Sequence, residues 1–294
     1  MAKTLPIPAG QSFPQRRFWH ILRRRLASLR TYLILTVLAL FMLGPMVWII
    51  GMAFKTKREF TSNPIGLPET LNPDNFLRLF QEENLLRFFI NSLLITSVSV
   101  LIVLVTSTMA GYALARLSFR GQQFLFTLFL VGDTIPLFVV IVPLFLFVQS
   151  IGLSGSRWSL ILPYAAMNMG IAVYMMRGFF RTIATDIEDA AQIDGCSTWQ
   201  LIYYILLPLV RPGATVVAII TFISYWNEYF LVQVLAPSQD LFTLPAGIAL
   251  LFMGRFGTNY PIWGAGILLT VLPTILLFAF AQDKIIEGYT FTSK

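Results

Sequence analysis

Two acids, Asp133 and Glu228, sit inside long apolar runs of this 294-residue chain, where an ionisable group needs a reason to be. At bilayer depth such a group costs about 2.5–3.5 kcal/mol on insertion scales. Glu228 lies 16 residues beyond Pro212, about 24 Å along a helix rising 1.5 Å per residue, towards the far leaflet. Ser224, Asn227, Glu228 and Leu231 follow i, i+3, i+4, i+7 spacing and predict one helical face, with Tyr225 and Trp226 beside it. Amide and carboxylate groups exchange hydrogen bonds with hydroxyls, and aromatic rings stack on the apolar faces of sugar rings. That face could therefore line the path of a polar solute. The competing reading is packing, with Glu228 held by an Arg or a backbone donor. Asp133, three residues before Pro136, carries the same two readings. It either faces a pore or gate, or it is an acid satisfied by backbone groups that the proline frees.

A second acidic group lies in Asp186–Pro212, between two apolar runs: Asp186, Glu188, Asp189 and Asp194. Thr185 with Glu188 and Ser197 with Gln200 each fit the spacing of a capping box, predicting two helix starts. Gly195 between them supplies the backbone freedom to end one helix before the next begins. Leu201, Tyr204, Ile205 and Pro208 then predict one apolar face on a short second helix. Two short helices bent outside the lipid make a knob suited to a groove on another protein. The plainer reading is an amphipathic loop that links two spans.

No enzyme chemistry competes with these readings. There is no phosphate-cradling P-loop, dinucleotide fingerprint or Ser-His-Asp set, and no metal cluster can be assembled around the single His20. Lone Cys196 forms no disulfide within the chain and reads as inert. No cofactor is expected on this polypeptide.

The elements that position these residues are membrane spans. Charged residues are 12% of the chain, against about 25% in soluble domains, and apolar runs near 31–53, 88–115, 122–150, 158–180, 211–236 and 262–282 each suit a helix of about 20 residues. The expected fold is an all-α membrane protein of six transmembrane helices. Residues 1–30 are basic and lack acids, so they read as a cytoplasmic N-terminal segment anchoring a six-span domain, 31–294, rather than a nucleic-acid arm or a cleavable signal. With the N-terminus inside, 14 of the 21 Lys and Arg fall in internal segments, as the positive-inside rule requires. Segment 54–87 reads as an external loop. Segment 237–261, broken by Pro245 and Gly247, reads as an extracytoplasmic loop that dips towards the pore or reaches a docked protein.

Asp189-Ala190-Ala191, Gly195 after three intervening residues, and Ile205-Leu206-Leu207-Pro208 after nine more resemble the cytoplasmic loop signature of permease subunits of binding-protein-dependent ABC importers. The family usually has Glu where this chain has Asp189. Asn91-Ser92-Leu93, Gly111 to Arg116, Pro136, Pro143, Trp226-Asn227-Glu228 and Gln282 through Gly288-Tyr289-Thr290 are similar to its carbohydrate, maltose-type branch. The C-terminal end departs from that branch's Gly-rich tail.

The resemblance implies a type I ABC importer permease in the cell inner membrane, translocating a sugar or oligosaccharide and doing no chemistry itself. It implies a second homologous permease subunit, two ATP-binding subunits that hold ATP and Mg, and a solute-binding protein, with membrane lipid around the spans. Coupling to the ATPase would fall to loop 182–210 through Glu188, Asp189, Ala190, Ala191, Asp194, Gly195, Ile205 and Pro208. The path residues would be Ser224, Tyr225, Asn227, Glu228 and Asp133. An ion-coupled secondary transporter, with Asp133 and Glu228 as coupling acids, is the alternative. Against it, the spans show no inverted repeat.

Overall fold

The computed structural model describes the backbone of residues 14–82, 84–253 and 259–292 and the side chains of 28–81, 84–251 and 259–282. Lys3, Lys294 and the stretch with Gly254, Arg255 and Gly257 lie outside them, as do the side chains of His20, the arginines before Ser28, and Lys284.

The first span belongs to a longer helix than its apolar run. Helix α1, Pro14–Ala53, has 40 residues and so extends about 60 Å, twice the hydrocarbon thickness of roughly 30 Å. The described part of the basic segment, from Pro14, is therefore continuous in helix with the first span. Leu33, Phe41 and Met42 point outward, as they must in lipid, and α1 packs chiefly along the last helix, α14 (Tyr260–Thr292). The following loop is held by short helices α2 (Lys57–Ser62) and α3 (Asp74–Glu82). Asn75 ties it to the end of α1 by donating to the carbonyls of Ala53 and Lys55, both at 2.8 Å.

Helix α4 (Leu85–Arg116) is the axis of the bundle. Ser92, Thr96, Ser99, Ser107 and Gly111 recur every three, four or eight residues and are all buried. In lipid, where apolar burial gives helices little reason to associate, such a stripe of small residues lets backbones approach and hydrogen-bond. Ser99 does so, donating to Ile161 O at 3.2 Å.

Three predicted spans are broken. The run 122–150 is two helices, α5 (Gln122–Thr134) and α6 (Leu137–Ser150), inclined at 101°. Pro136 explains the break: it forces Ile135 out of the helical region, to ψ 118°. The run 158–180 is α7 (Trp158–Met167) and α8 (Met169–Thr182), bent by 49° at Asn168. The run 211–236 begins earlier and ends sooner. Helix α9 (Thr185–Ile193) leads to a single turn α10 (Thr198–Gln200), a π-helix Leu201–Leu206 and α11 (Leu207–Trp226), then a separate α12, Phe230–Leu235. Helix α13, Leu244–Met253, precedes α14.

Among the described residues, four helices are long and apolar enough to cross a membrane, and up to six spans result when each bent pair counts as one. Contacts at the two ends fit that count. Arg116 at the end of α4 meets Glu188 in α9, while Arg87 at its start meets Asp240, and Asn91 meets Arg157 before α7. Successive connections thus alternate between two ends.

Candidate functional site

At the end carrying α9, the expected two-helix knob forms, with changes. Only one capping box is made: Ser197 N donates to Gln200 Oε1 at 2.8 Å, and Gln200 N to Ser197 Oγ at 3.4 Å. The other is absent, because Ala184 occupies the N-cap, Thr185 already lies in the helix, and Glu188 turns inward. Its carboxylate accepts from Arg116 Nε at 2.5 Å, and Arg116 Nη2 also donates to Ile183 O. One ion pair therefore fixes α9 against the end of α4, with the two side chains 10% and 12% exposed.

Gly195 ends α9 in the left-handed region, at φ +81°. Its N–H donates to Gln192 O and that of Cys196 to Ala191 O, both at 3.0 Å. These are the two bonds of a Schellman motif, whose turning residue is glycine because a Cβ is strained there. Ala191 packs inward while Asp189, Ala190 and Asp194 remain exposed.

The expected apolar face of Leu201, Tyr204, Ile205 and Pro208 is not formed, nor is the second helix short. Pro208 has no N–H for Tyr204 O, and its ring would crowd that carbonyl in an α-helix. The turn ahead of it widens to a π-helix, in which spacing five rather than four returns to the same side. Leu201 and Leu206 are accordingly buried, Tyr204 points outward, Ile205 is half-buried and Pro208 exposed. The knob presents Ile187, Ile193, Trp199, Tyr203 and Tyr204, with Ile193 87% and Trp199 73% exposed. Sequence reasoning missed Ile193, Trp199 and Tyr203. Their signal was large apolar side chains in a segment that also carries four acids, Asp186, Glu188, Asp189 and Asp194.

The second site lies where the broken spans meet. Ser224, Asn227, Glu228 and Leu231 do not share a helical face, because α11 stops at Trp226 and α12 starts at Phe230. Glu228 lies in the gap, where Oε1 accepts from Leu231 N and Oε2 from Tyr164 Oη, both at 2.8 Å. A carboxylate that serves the backbone ahead of it competes with continued helix, so the gap needs no proline. Asp133 does the same across two spans: its oxygens accept from Gly170 N at 3.2 Å and Ile171 N at 2.5 Å, in the first turn of α8. Its partners are thus on α8 and not the groups beside Pro136. A Cβ on Gly170 would come within 2.8 Å of that carboxylate, so only glycine admits the approach.

Asn168, in the α7–α8 break, donates to Ser224 Oγ at 3.0 Å. Tyr225 turns inward and stacks on Tyr164, ring centres 5.3 Å apart. Asn227 is exposed and its amide bonds its own helix at Ile223 O. The structure therefore links Ser224, Tyr225 and Glu228 through the neighbouring α7–α8 pair, and Asp133 to that pair from the other side. Asp133 borders a cleft of about 500 Å³ between α5 and the α7–α8 pair. The breaks thus gather carboxylate, amide, hydroxyl and aromatic groups at helix ends.

Known proteins resemble this chain along most of its length. Residues 103–285 match the family described as "Binding-protein-dependent transport system inner membrane component". A diacetylchitobiose uptake system permease protein of Streptomyces coelicolor is 32% identical over 89% of this chain and 87% of its own length. An arabinooligosaccharides transport system permease protein of Halalkalibacterium halodurans is 36% identical, over 84% of this chain and 88% of its own. In fold, a chain from a crystal structure of a bacterial ABC transporter that imports the acidic polysaccharide alginate superposes with TM-score 0.75 at 21% identity, covering 94% of this chain and 99% of that one.

Proposed function

The chain belongs to the family of binding-protein-dependent transport system inner membrane components, and on that premise we propose how this permease subunit of an ABC importer works and what it carries. Its cargo is a sugar or oligosaccharide. A second, similar permease subunit completes the path, two ATP-binding subunits holding ATP and Mg dock at the α9 end, and a solute-binding protein delivers cargo at the other. The N-terminus is cytosolic, in keeping with 14 of the 21 Lys and Arg on that side.

The observation that carries this reading is the knob. A Schellman turn and a buried ion pair hold it rigid, yet it leaves Ile193, Trp199 and Tyr204 uncovered by the chain's own side chains. A rigid projection with an uncovered apolar tip suits a groove in an ATP-binding subunit. Asp189, Ala190, Asp194 and Gly195 meet that groove, while Glu188 and Ala191 position them and Ile205 and Pro208 set the helix that carries motion into the membrane. Closure of the ATP-binding subunits shifts the knob as a rigid body, and the π-helix passes this to α11 and the gap at Glu228. Ser224, Tyr225, Asn227, Glu228 and Asp133 then line or gate the path. Sugar as cargo is supported by the relatives' own substrates and by hydroxyl-seeking and aromatic groups gathered at the breaks.

The test is Gly195→Val. No atom lies within 4 Å of a Cβ placed there, so the change strains the turn without a clash. Transport by the reconstituted assembly is expected to fall more than tenfold while ATP hydrolysis persists and loses its dependence on loaded binding protein. Unchanged, coupled transport in an intact assembly would falsify the coupling role. Recovery of the native complex without any ATPase would favour the ion-coupled alternative.

A further inference from the structure

At the end opposite the knob, α4 and the start of α7 enclose a groove of about 600 Å³. Arg87 from the first turn of α4, Arg157 just before α7, Ser156, Ser238 and Asp240 make its polar side, with Trp158 beside them, and Leu94, Val98, Ile161 and Leu241 its apolar side. Arg87, Leu94 and Val98 are spaced by seven and four and fall on one stripe of the helix. The groove therefore runs about 16 Å along α4, from a cationic mouth into the layer where the spans meet hydrocarbon.

The mouth is built and has cation to spare. Arg157 gives Nε and Nη2 to Asn91 Oδ1 at 3.2 and 3.1 Å. Asn91, fully buried, is itself fixed by donating to Asp240 O and Phe242 O. Arg87 pairs with the Asp240 carboxylate at 2.6 Å. Among the described residues one carboxylate thus stands against two guanidinium groups, and these bonds leave most of their N–H donors for other acceptors. A free sugar could bond the polar side at Ser156, Ser238 and Asp240 but gains nothing from the wall of Leu, Val and Ile. A protein docked from water would have to reach far below the rim. Polar mouth, apolar shaft and a Trp at the boundary, where indoles settle at headgroup level, are together the outline of an amphiphile with an anionic head.

We infer that this groove binds an anionic phospholipid of the adjacent leaflet, its phosphate against Arg157 and Arg87 and one acyl chain along Leu94 and Val98. Planar guanidinium groups match phosphate oxygens in pairs, and the surrounding bilayer supplies the ligand. The inference requires only the chain in a bilayer, so it stands or falls apart from the cargo and coupling proposed above.

The experiment uses the assembled transporter in nanodiscs of phosphatidylcholine alone or in equal mixture with phosphatidylglycerol. Lipid retained on extraction is read by native mass spectrometry, and stability by thermal unfolding. Wild type is expected to keep phosphatidylglycerol several-fold over phosphatidylcholine and to unfold at a higher temperature in the mixture. Arg157→Gln should abolish the preference. Val98→Trp, which fills the shaft and keeps both arginines, should lower retention alike, so the conclusion does not hang on one variant's folding. Equal retention of the two lipids, as a partner subunit covering the groove would produce, overturns the inference, and so does retention untouched by either variant. Soluble glycerol phosphate reproducing the lipid's stabilisation would mark a phosphate site without an acyl chain, and overturns it too.

Discussion

Residues 183–206 and 236–253 lie between spans at opposite ends of the bundle, and they use apolar side chains in opposite ways. The first ends α9 with a glycine turn and leaves Ile193, Trp199, Tyr203 and Tyr204 outside. The second folds inward, with Leu241, Phe242, Leu244, Ala246, Ile248 and Leu251 all buried. Their clamps differ as well. One charged pair, Arg116 with Glu188, holds the knob. Neutral hydrogen bonds hold the buried part of the other, beside an exposed ion pair of Asp240 with Arg87: Asn91 donates to two of its carbonyls and Ser92 Oγ accepts from Leu244 N at 2.7 Å. A segment that gives its apolar groups to its own chain is part of the scaffold. One that withholds them leaves them for a second molecule, the role proposed above, and its clamp need only fix orientation.

The largest change in stability should come from the knob's clamp. Glu188→Ala leaves Arg116 charged and only 12% exposed, without its carboxylate. Breaking a buried pair from one side costs about 3–5 kcal/mol, read as a drop in the thermal midpoint of the purified permease and as new proteolytic cleavage within α9. Arg116→Ala with Glu188→Ala should recover part of the loss. If Glu188→Ala costs under about 1 kcal/mol, the value of an exposed pair, the knob is not held from within and the comparison fails.

Next in size is the opposite clamp. Asn91→Ala strips partners from two carbonyls and Arg157 at a position with 0% exposure. Each buried polar group left unsatisfied costs about 1–3 kcal/mol. Hydrogen exchange should quicken in residues 240–251 and leave α9 unaffected. Equal quickening at both ends would mean that the two segments are not independent.

Sequence read well where one local rule decided the outcome, and poorly where two elements had to meet. The apolar runs gave six spans, and Ser197 with Gln200 capped as its spacing predicts. Gly195 turned the chain where a residue free to adopt positive φ was expected. The Thr185 cap failed because Glu188 had a stronger partner 72 residues away in Arg116, which no local pattern encodes. The face through Ser224 and Leu231 failed because period counting assumes unbroken helix, and the carboxylate counted into that face is the group that ends it. Tyr164 and Asn168, which hold Glu228 and Ser224, were invisible for the same reason: a tyrosine and an asparagine in an apolar run carry no periodic signal. The Pro136 break was legible in kind, since the residue before a proline is pushed from helix. Its 101° size was not.

A smaller effect separates surface from clamp within the inward-folded segment. Arg87 and Asp240 pair at 2.6 Å, but their side chains are 52% and 62% exposed. Asp240→Ala should therefore cost only about 0–1 kcal/mol, fading as salt is raised, although it adjoins the carbonyl that Asn91 holds. A loss as large as that of Asn91→Ala would move the clamp from the amide to the ion pair.

The smallest expected change in stability is at Trp199, and it separates the two segments most cleanly. Its ring is 73% exposed, and substitutions at such surface positions usually stay within about 0.5 kcal/mol. Trp199→Ala should thus leave the thermal midpoint of the isolated permease where it was. The same change removes a large aromatic side chain from an uncovered apolar tip, the kind of residue that carries much of the energy at docking surfaces. Recovery of the ATP-binding subunit with the permease should fall several-fold, and excess ATP-binding subunit should restore it. The matching change in the other segment, Ile248→Ala, should show the reverse, with stability lost from a position 4% exposed and subunit recovery kept in whatever protein folds. If Trp199→Ala destabilises the isolated permease, the tip is packed against its own chain in solution and is not the surface offered to a partner.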